Sequence, residues 1–360
     1  MRLDTDFLNK LKYRELNLKE IELEMITCEE GEDQGSEVGI EGTMLTEQAL
    51  KQLSDITMIP YKFTQVLRSN GKGHVLSYIQ KQVSQISSLD VIAIVLNDRI
   101  ISIVDADMLC FRGKDVISLD KRLRGALKDH PVLTLKEVVF DEGNICYSIY
   151  YKELREINGE DWGWGFTLRL SATGAIESSV GMEVMREQTL GKIYLPHKTY
   201  NHNLCLGAKF EDNWTEINDN FLELPPTAGW TDLTNMLAKT QAAASYREVN
   251  ESRNKLLKLK VDKFDAETSD RITDALEWKR ILKAYLVKDM DQRPTRNWFT
   301  KASTPLTLLD VINLVSTEAT HAPNTVDATL RQNLLKYGGT LLAGNPDLYN
   351  QPPQINWDEN

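Results

Sequence analysis

Residues 91–104 read Val91-Ile92-Ala93-Ile94-Val95-Leu96-Asn97-Asp98-Arg99-Ile100-Ile101-Ser102-Ile103-Val104. Two apolar runs dominated by β-branched side chains flank a short polar turn. Such side chains are stiff at χ1 and fit a pleated strand better than a helix. Asn and Asp tolerate the left-handed backbone that a tight hairpin requires. The stretch therefore predicts a β-hairpin, and the same period-2 pattern continues downstream. Lys136–Phe140 and Ile145–Lys152 bracket the turn Asp141-Glu142-Gly143-Asn144. Trp164, Phe166, Leu168 and Leu170 then alternate with Gly165, Thr167 and Arg169, and Val180, Met182 and Val184 share one face of a further strand. Six strands joined by short turns predict an antiparallel sheet and an α+β chain.

On both sides of the strands the apolar period lengthens to that of a helix. Thr46 reads as an N-cap before Ala49, Leu50, Leu53 and Ile56, and Pro60 ends that helix. Short helices are expected at Tyr61–Leu67 and around Val75, Ile79, Val83 and Ile86. From 231 the helical period returns in Leu233–Lys260, Ile272–Leu286, Leu306–Thr317 and Val326–Leu342. Phe7–Ile26 fits strands or a helix. The expected organisation is an acidic N-terminal segment (1–44), an α+β core with a central antiparallel β-meander and N-terminal helices (45–230), a helical C-terminal region (231–343) and an extended tail (344–360).

Composition removes several functional classes. The chain has 360 residues, 42 Lys+Arg, 53 Asp+Glu and a formal net charge of −11. It holds no apolar run of about 18 residues, the length a membrane helix requires. The four cysteines are scattered without a paired motif, which fits a reducing, cytoplasmic setting better than a disulfide framework. Net acidity argues against a general polyanion binder, yet the charge is unevenly spread. Residues 112–136 carry seven basic and three acidic side chains, and residues 247–301 carry 14 and ten. Each island reads either as a solvated, ion-paired helix face or as part of a basic groove.

Motifs for catalysis are missing. His197, His202 and Cys205 match no common zinc spacing, so no metal is expected. Gly71-Lys72-Gly73-His74 follows a helix rather than a strand and lacks the P-loop pattern. No G-x-S-x-G elbow exists. The sequence asks for no cofactor and for no enzyme.

The first basic island carries the remaining case. Arg112, Lys114, Lys121, Arg122, Arg124 and Lys128 are placed to contact phosphates, with aromatic residues on the next hairpin as stacking candidates. Tyr147 and Tyr151 share a face with Ile145 and Ile149 and are expected in the core. Tyr150, on the face of Cys146 and Ser148, is expected to be exposed and to stack on bases. In the second island, Lys255, Lys258, Arg271, Lys279, Arg280 and Lys283 have Glu251, Asp262 and Glu277 close by for pairing.

Four stretches resemble a family of uncharacterised proteins encoded by phages, prophages and plasmids. Thr46–Tyr61 is similar to that family's early helix and its Ile-Pro-x-Tyr-type turn. Gly165–Leu170 with Ser171-Ala172-Thr173-Gly174 resembles its central strand and polar turn, and Leu195-Pro196-His197-Lys198 is similar to a Val-Pro-His-Lys stretch. Thr307–Ala322 with Leu330–Leu342 resembles its closing helix pair, with Leu308, Asp310 and Asn313 as the core. The chain departs from the family at Val184-Met185-Arg186-Glu187-Gln188, where members often carry a Cys/Asn-Gly dipeptide. The resemblance implies a mobile-element setting in the host cytoplasm. The expected function is an accessory protein of replication or recombination that binds or anneals single-stranded DNA without sequence preference, as a homo-oligomer. The alternative is a phage structural or interaction protein, or an inhibitor of host defence, with no nucleic-acid partner.

Overall fold

A computed structural model describes residues 3–27, 36–62, 72–85, 89–109, 111–187, 191–195, 201–204, 210–223, 230–259, 266–278, 303–322 and 328–344. The chain opens with helix α1 (Thr5–Lys10) and strands β1 (Lys12–Asn17), β2 (Leu23–Thr27), β3 (Ser36–Ile40) and β4 (Thr43–Leu45). Helices α2 (Glu47–Ile56) and α3 (Lys72–Val83) precede the hairpin β5 (Asp90–Leu96) and β6 (Arg99–Asp105). Leu96 pairs with Arg99, leaving Asn97 and Asp98 as the whole turn, with φ of 50° and 58°. Both central residues are left-handed, the geometry whose twist matches the flanking strands. The Glu41-Gly42, Glu142-Gly143 and Asn158-Gly159 turns repeat it.

The predicted hairpin is present, but it does not open a single meander. It joins a six-stranded sheet in the order β1-β5-β6-β4-β3-β2, antiparallel except between β4 and β6. The acidic segment before residue 45 is thus woven into this sheet: β1 pairs with β5, and β4 with β6. The unbroken apolar run of β5 is explained by burial on both faces. Ile92, Ile94 and Val104 enter the larger core, while Val91, Ala93, Val95, Ile100 and Ile103 enter a second core with Leu50 and Leu53 of α2 and Ile79 and Val83 of α3. Thr46 caps α2 as expected, accepting from the Ala49 N–H at 3.3 Å. The helix expected over Tyr61–Leu67 lies mostly outside the described residues.

After α4 (Gly113–Lys128) the second hairpin, β7 (Leu133–Asp141) and β8 (Asn144–Tyr151), starts another sheet with β9 (Arg155–Ile157), β10 (Glu160–Ser171), β11 (Ser179–Arg186), β12 (Gly191–Tyr194) and β13 (Asn201–Asn203). Its order is β12-β11-β10-β8-β7, with β13 beside β11 and β9 beside β10. The two sheets meet where Ser102 of β6 donates to the Thr173 carbonyl at 2.6 Å and the Tyr13 hydroxyl of β1 donates to the Ala172 carbonyl at 3.0 Å.

The C-terminal part is helical: α5 (Phe210–Ile217), α6 (Trp230–Thr240), α7 (Tyr246–Leu256), α8 (Ala266–Ala275), α9 (Leu308–Thr320) and α10 (Ala328–Ala343). The single long helix expected over Leu233–Lys260 is instead α6, a short strand β14 (Ala243–Ser245) and α7. Strand β14 pairs with β15 (Ser303–Thr307), which the sequence reading also missed. The pairing with β15 draws residues 243–245 out of the helix, and a local contact then restarts it. Ser245 accepts from the Glu248 N–H at 3.3 Å and its own N–H donates to Glu248 at 2.6 Å, a capping box that starts a new helix.

One glycine is dictated by close approach. Gly165 on β10 lies opposite Tyr150 of β8 on one side and Glu183 of β11 on the other. A Cβ there would come within 2.0 Å of the Ile149 carbonyl oxygen and 2.7 Å of the Tyr150 Cα. Both obstacles are backbone, which cannot swing aside. Gly165→Ala is therefore expected to destabilise the protein by about 3 kcal/mol or more, at or above the upper end of ordinary overpacking. Urea denaturation reads this directly, and an unchanged midpoint would contradict the packing described.

Candidate functional site

Helix α4 carries the residues expected to contact nucleic acid. Its inner face is held by Val116, Leu119, Leu123 and Leu127, all buried. Its N-terminus is pinned by Tyr13, whose hydroxyl accepts the Gly113 N–H at 2.8 Å. Burial pushes that phenol up to about 12, so it stays protonated and can also donate to Ala172. Tyr147 of β8, fully buried, donates to Asp120 at 3.1 Å and ties the middle of the helix to the second sheet.

The basic side chains on α4 divide into two sets. Arg112 donates to Glu15 at 2.7 Å and lies 5.6 Å from the Tyr13 ring centroid. Arg124 donates through Nε to both oxygens of Asp120, one turn earlier, at 3.0 and 2.9 Å. Arg122 forms a two-pronged bond to Glu211 of α5, at 2.7 and 2.6 Å, and its guanidinium lies 5.1 Å from the Phe210 ring and 5.8 Å from that of Trp214. The hydrogen bonds of this pair hold the Glu211 carboxyl below its usual range. Lys114, Lys121 and Lys128 are different. All three are exposed, and among the described residues none is ion-paired. Their seven-residue intervals amount to nearly two helical turns each, so the ammonium groups form one ridge roughly 21 Å long.

Tyr150 corrects the sequence reading. It is 1% exposed, and its hydroxyl donates to Glu183. The face it shares with Cys146 and Ser148 is polar but closed, because the sheet curls around it. Tyr150 cannot stack on a base in this fold. Tyr147 and Tyr151 are buried as expected. Phe210 and Trp214, half-buried beside Arg122, are the aromatic rings that do flank the basic helix; they sit about 90 residues downstream, too far for sequence proximity to reveal. In the second island, Arg271 pairs with Glu318 and the Lys255 ammonium lies 4.8 Å from the Tyr337 ring centroid. Lys279, Arg280 and Lys283 lie outside the described residues.

Sequence reasoning missed the interior of the second sheet. Glu183, wholly buried, accepts from Tyr150 on one oxygen and from Thr167 on the other. Lys192 of β12 reaches across the concave face to Glu137 of β7 and donates to Ser148 at 3.0 Å. β12 and β7 are the two ends of the strand order, so this ion pair clasps a curled sheet edge to edge. Burial lifts the Glu183 carboxyl to about 7, with the Glu137 charge adding to the rise and the Lys192 charge opposing it. Burial works against the Lys192 ammonium, but the charges of Glu183 and Glu137 outweigh it and raise its pKa. Burial also pushes up the Cys146 thiol and the Tyr194 hydroxyl, which lie 3.8 Å apart. No pattern signal marked it: Glu183 shares a strand face with Gly181 and Met185, and alternation alone does not say whether that face is covered.

Among the described residues, no cluster of His, Cys, Asp and Glu is arranged to hold a metal ion, and no helix is long and apolar enough to cross a membrane. His197 and Cys205 fall outside them. No protein-family model, curated protein or solved structure matches this chain.

The elevated Glu183 carboxyl makes a signed prediction. In the unfolded chain it loses its proton near 4.5, whereas the folded state retains it to about 7. The fold therefore holds a proton the unfolded chain has released, and stability falls as pH rises through that window. The contribution is fully present below about 4.5 and lost above about 7, a swing of up to about 3 kcal/mol. Glu183→Gln cannot ionise and should show a flatter profile. Denaturation of both proteins from pH 4.5 to 7.5 tests this; parallel profiles would refute the assignment.

Proposed function

We propose that this chain binds single-stranded DNA without sequence preference through the outward face of α4, as an accessory protein in the replication or recombination of a phage or plasmid. The observation that carries the reading is the ridge of Lys114, Lys121 and Lys128. Three exposed ammonium groups on a rigid helix, with no acid among the described residues paired to them, are suited to phosphates rather than to stability. The net charge of −11 does not oppose it, since a phosphate track needs only local positive potential.

Two further features support the reading. Gly125 lies on the same exposed face between Lys121 and Lys128, and a Cβ there would meet nothing within 4 Å. No packing requires a glycine at this point, and it costs about 1 kcal/mol against alanine in a helix interior. A bare helix surface lets a sugar-phosphate backbone approach closely. Beside the ridge, Arg122 sits against the rings of Phe210 and Trp214, an arrangement that offers stacking surface next to a cation. The Glu211 carboxylate fills the Arg122 fork as a phosphate would, so a strand that displaces it gains a fourth contact. A homo-oligomer would align successive ridges into a longer track, as annealing requires.

Fluorescence anisotropy with a labelled thymidine oligonucleotide, across a salt series, tests the proposal. Three lysine contacts predict a slope of log K against log salt of about −2 for a single strand. Replacing all three lysines by glutamate should abolish binding while the fold survives, and Glu211→Gln should tighten it several-fold by freeing Arg122. Absence of binding at micromolar protein and low salt, or binding indifferent to salt, would sink the proposal and leave an interaction protein with a protein partner as the reading.

A further inference from the structure

A cavity of about 140 Å³ opens between the concave face of the second sheet and helices α9 and α10. Space of this size accommodates about one six-membered ring. Cys146, Lys192 and Tyr194 line one side, Arg331 of α10 lines another, and Ile145 and Leu335 are among the apolar groups between them. The cavity has no part in the reading of α4.

Against the ring of Tyr194, just outside the cavity's own lining, lies an unmet cation. Arg169 is 2% exposed, and its guanidinium carbon lies 4.2 Å from the Tyr194 ring centroid. On β10 it stands directly opposite Cys146, and paired residues share a face of the sheet. Its Nε and Nη2 have no acceptor among the described residues. A buried charged donor left unpaired is among the costlier groups a fold can contain.

Nearby acids do not neutralise it. Glu137 is already bound to Lys192, and Glu183 is enclosed by the hydroxyls of Tyr150 and Thr167. Asp141 lines the cavity but is itself exposed, where water screens it. Lys336, on α10, feels the Arg169 charge, but the Glu177 carboxylate acts on it in the opposite sense and so offsets it. Arg169 is therefore the uncompensated charge beside a small, largely apolar space.

We infer that this cavity is a binding site for a small organic monocarboxylate. The carboxylate lies at the Lys192 end, over Tyr194 and Cys146, where the unneutralised Arg169 charge draws it. The short apolar body of the ligand packs on Ile176 and Leu335, both of which line the cavity. A bare inorganic anion would satisfy the charge but leave the apolar wall unused, and a neutral hydrocarbon would do the reverse.

Calorimetric titration of the full chain with benzoate, and in parallel with inorganic phosphate, tests the assignment. Benzoate should bind and phosphate should not. Arg169→Met removes a buried unpaired charge, so it should keep or gain stability while weakening benzoate at least tenfold. Val139→Trp provides an independent check: Val139 lines the cavity yet is 36% exposed, so a larger side chain can fill the space without entering the core. It too should weaken benzoate at least tenfold, and it decides the matter if Arg169→Met does not fold. No heat with benzoate, equal affinity in wild type and Val139→Trp, or binding of phosphate alone would each overturn the inference.

Discussion

The second sheet is organised around one buried carboxyl. Glu183 sits where five strands curl over their own polar face, and a carboxyl in that position must be bonded on both oxygens or the curl would strand it. Tyr150 and Thr167 provide the two donors. The Tyr150 bond runs across β10, and it is possible only because Gly165 leaves the crossing open. The clasp between Lys192 and Glu137 then joins the ends of the strand order. Everything outside that face follows: α4 covers one side through Tyr147 and its leucines, and α9 and α10 close the other.

That arrangement separates two kinds of basic residue. Cations drawn into the fold, Arg169 and Lys192, lie on the concave face. Cations of α4 point away from it, because the helix spends its opposite stripe on the core. Among the latter, the arginines are tied to Glu15, Glu211 and Asp120, while the lysines remain unpaired among the described residues. Arginine's planar fork holds a carboxylate in a fixed geometry, whereas lysine's flexible, strongly hydrated ammonium stays in solvent. A single basic island in the sequence thus resolves into a structural set and a solvent-facing set.

Much of the fold was legible because local rules sufficed. Asn97-Asp98 and Glu142-Gly143 are turn residues whose backbone preference does not depend on distant contacts, and both hairpins formed where expected. Thr46 capped its helix for the same reason. Where the reading failed, the deciding partner was far away in the chain. The period of Leu233–Lys260 is helical throughout, but β15 draws residues 243–245 into a pair, and the capping box at Ser245 restarts the helix. Tyr150 was read as exposed because its strand neighbours are polar. Period 2 tells which residues share a face; it does not tell whether another element covers that face.

The sequence by itself determined the α+β class, the hairpin turns, the helix that starts at Thr46 and the uneven distribution of charge. These depend on backbone preference and on residues a few positions apart. Tertiary structure alone decided that the two hairpins belong to different sheets and that the acidic N-terminal strands complete the first. It also decided that Tyr150 meets a buried carboxyl instead of solvent, and that the Phe210 and Trp214 rings stand beside Arg122. The physical reason is common to all of them. Burial and pairing across tens of residues are fixed by which surfaces the whole chain can bring together, and side chains of the same type acquire opposite roles according to the face on which they are closed.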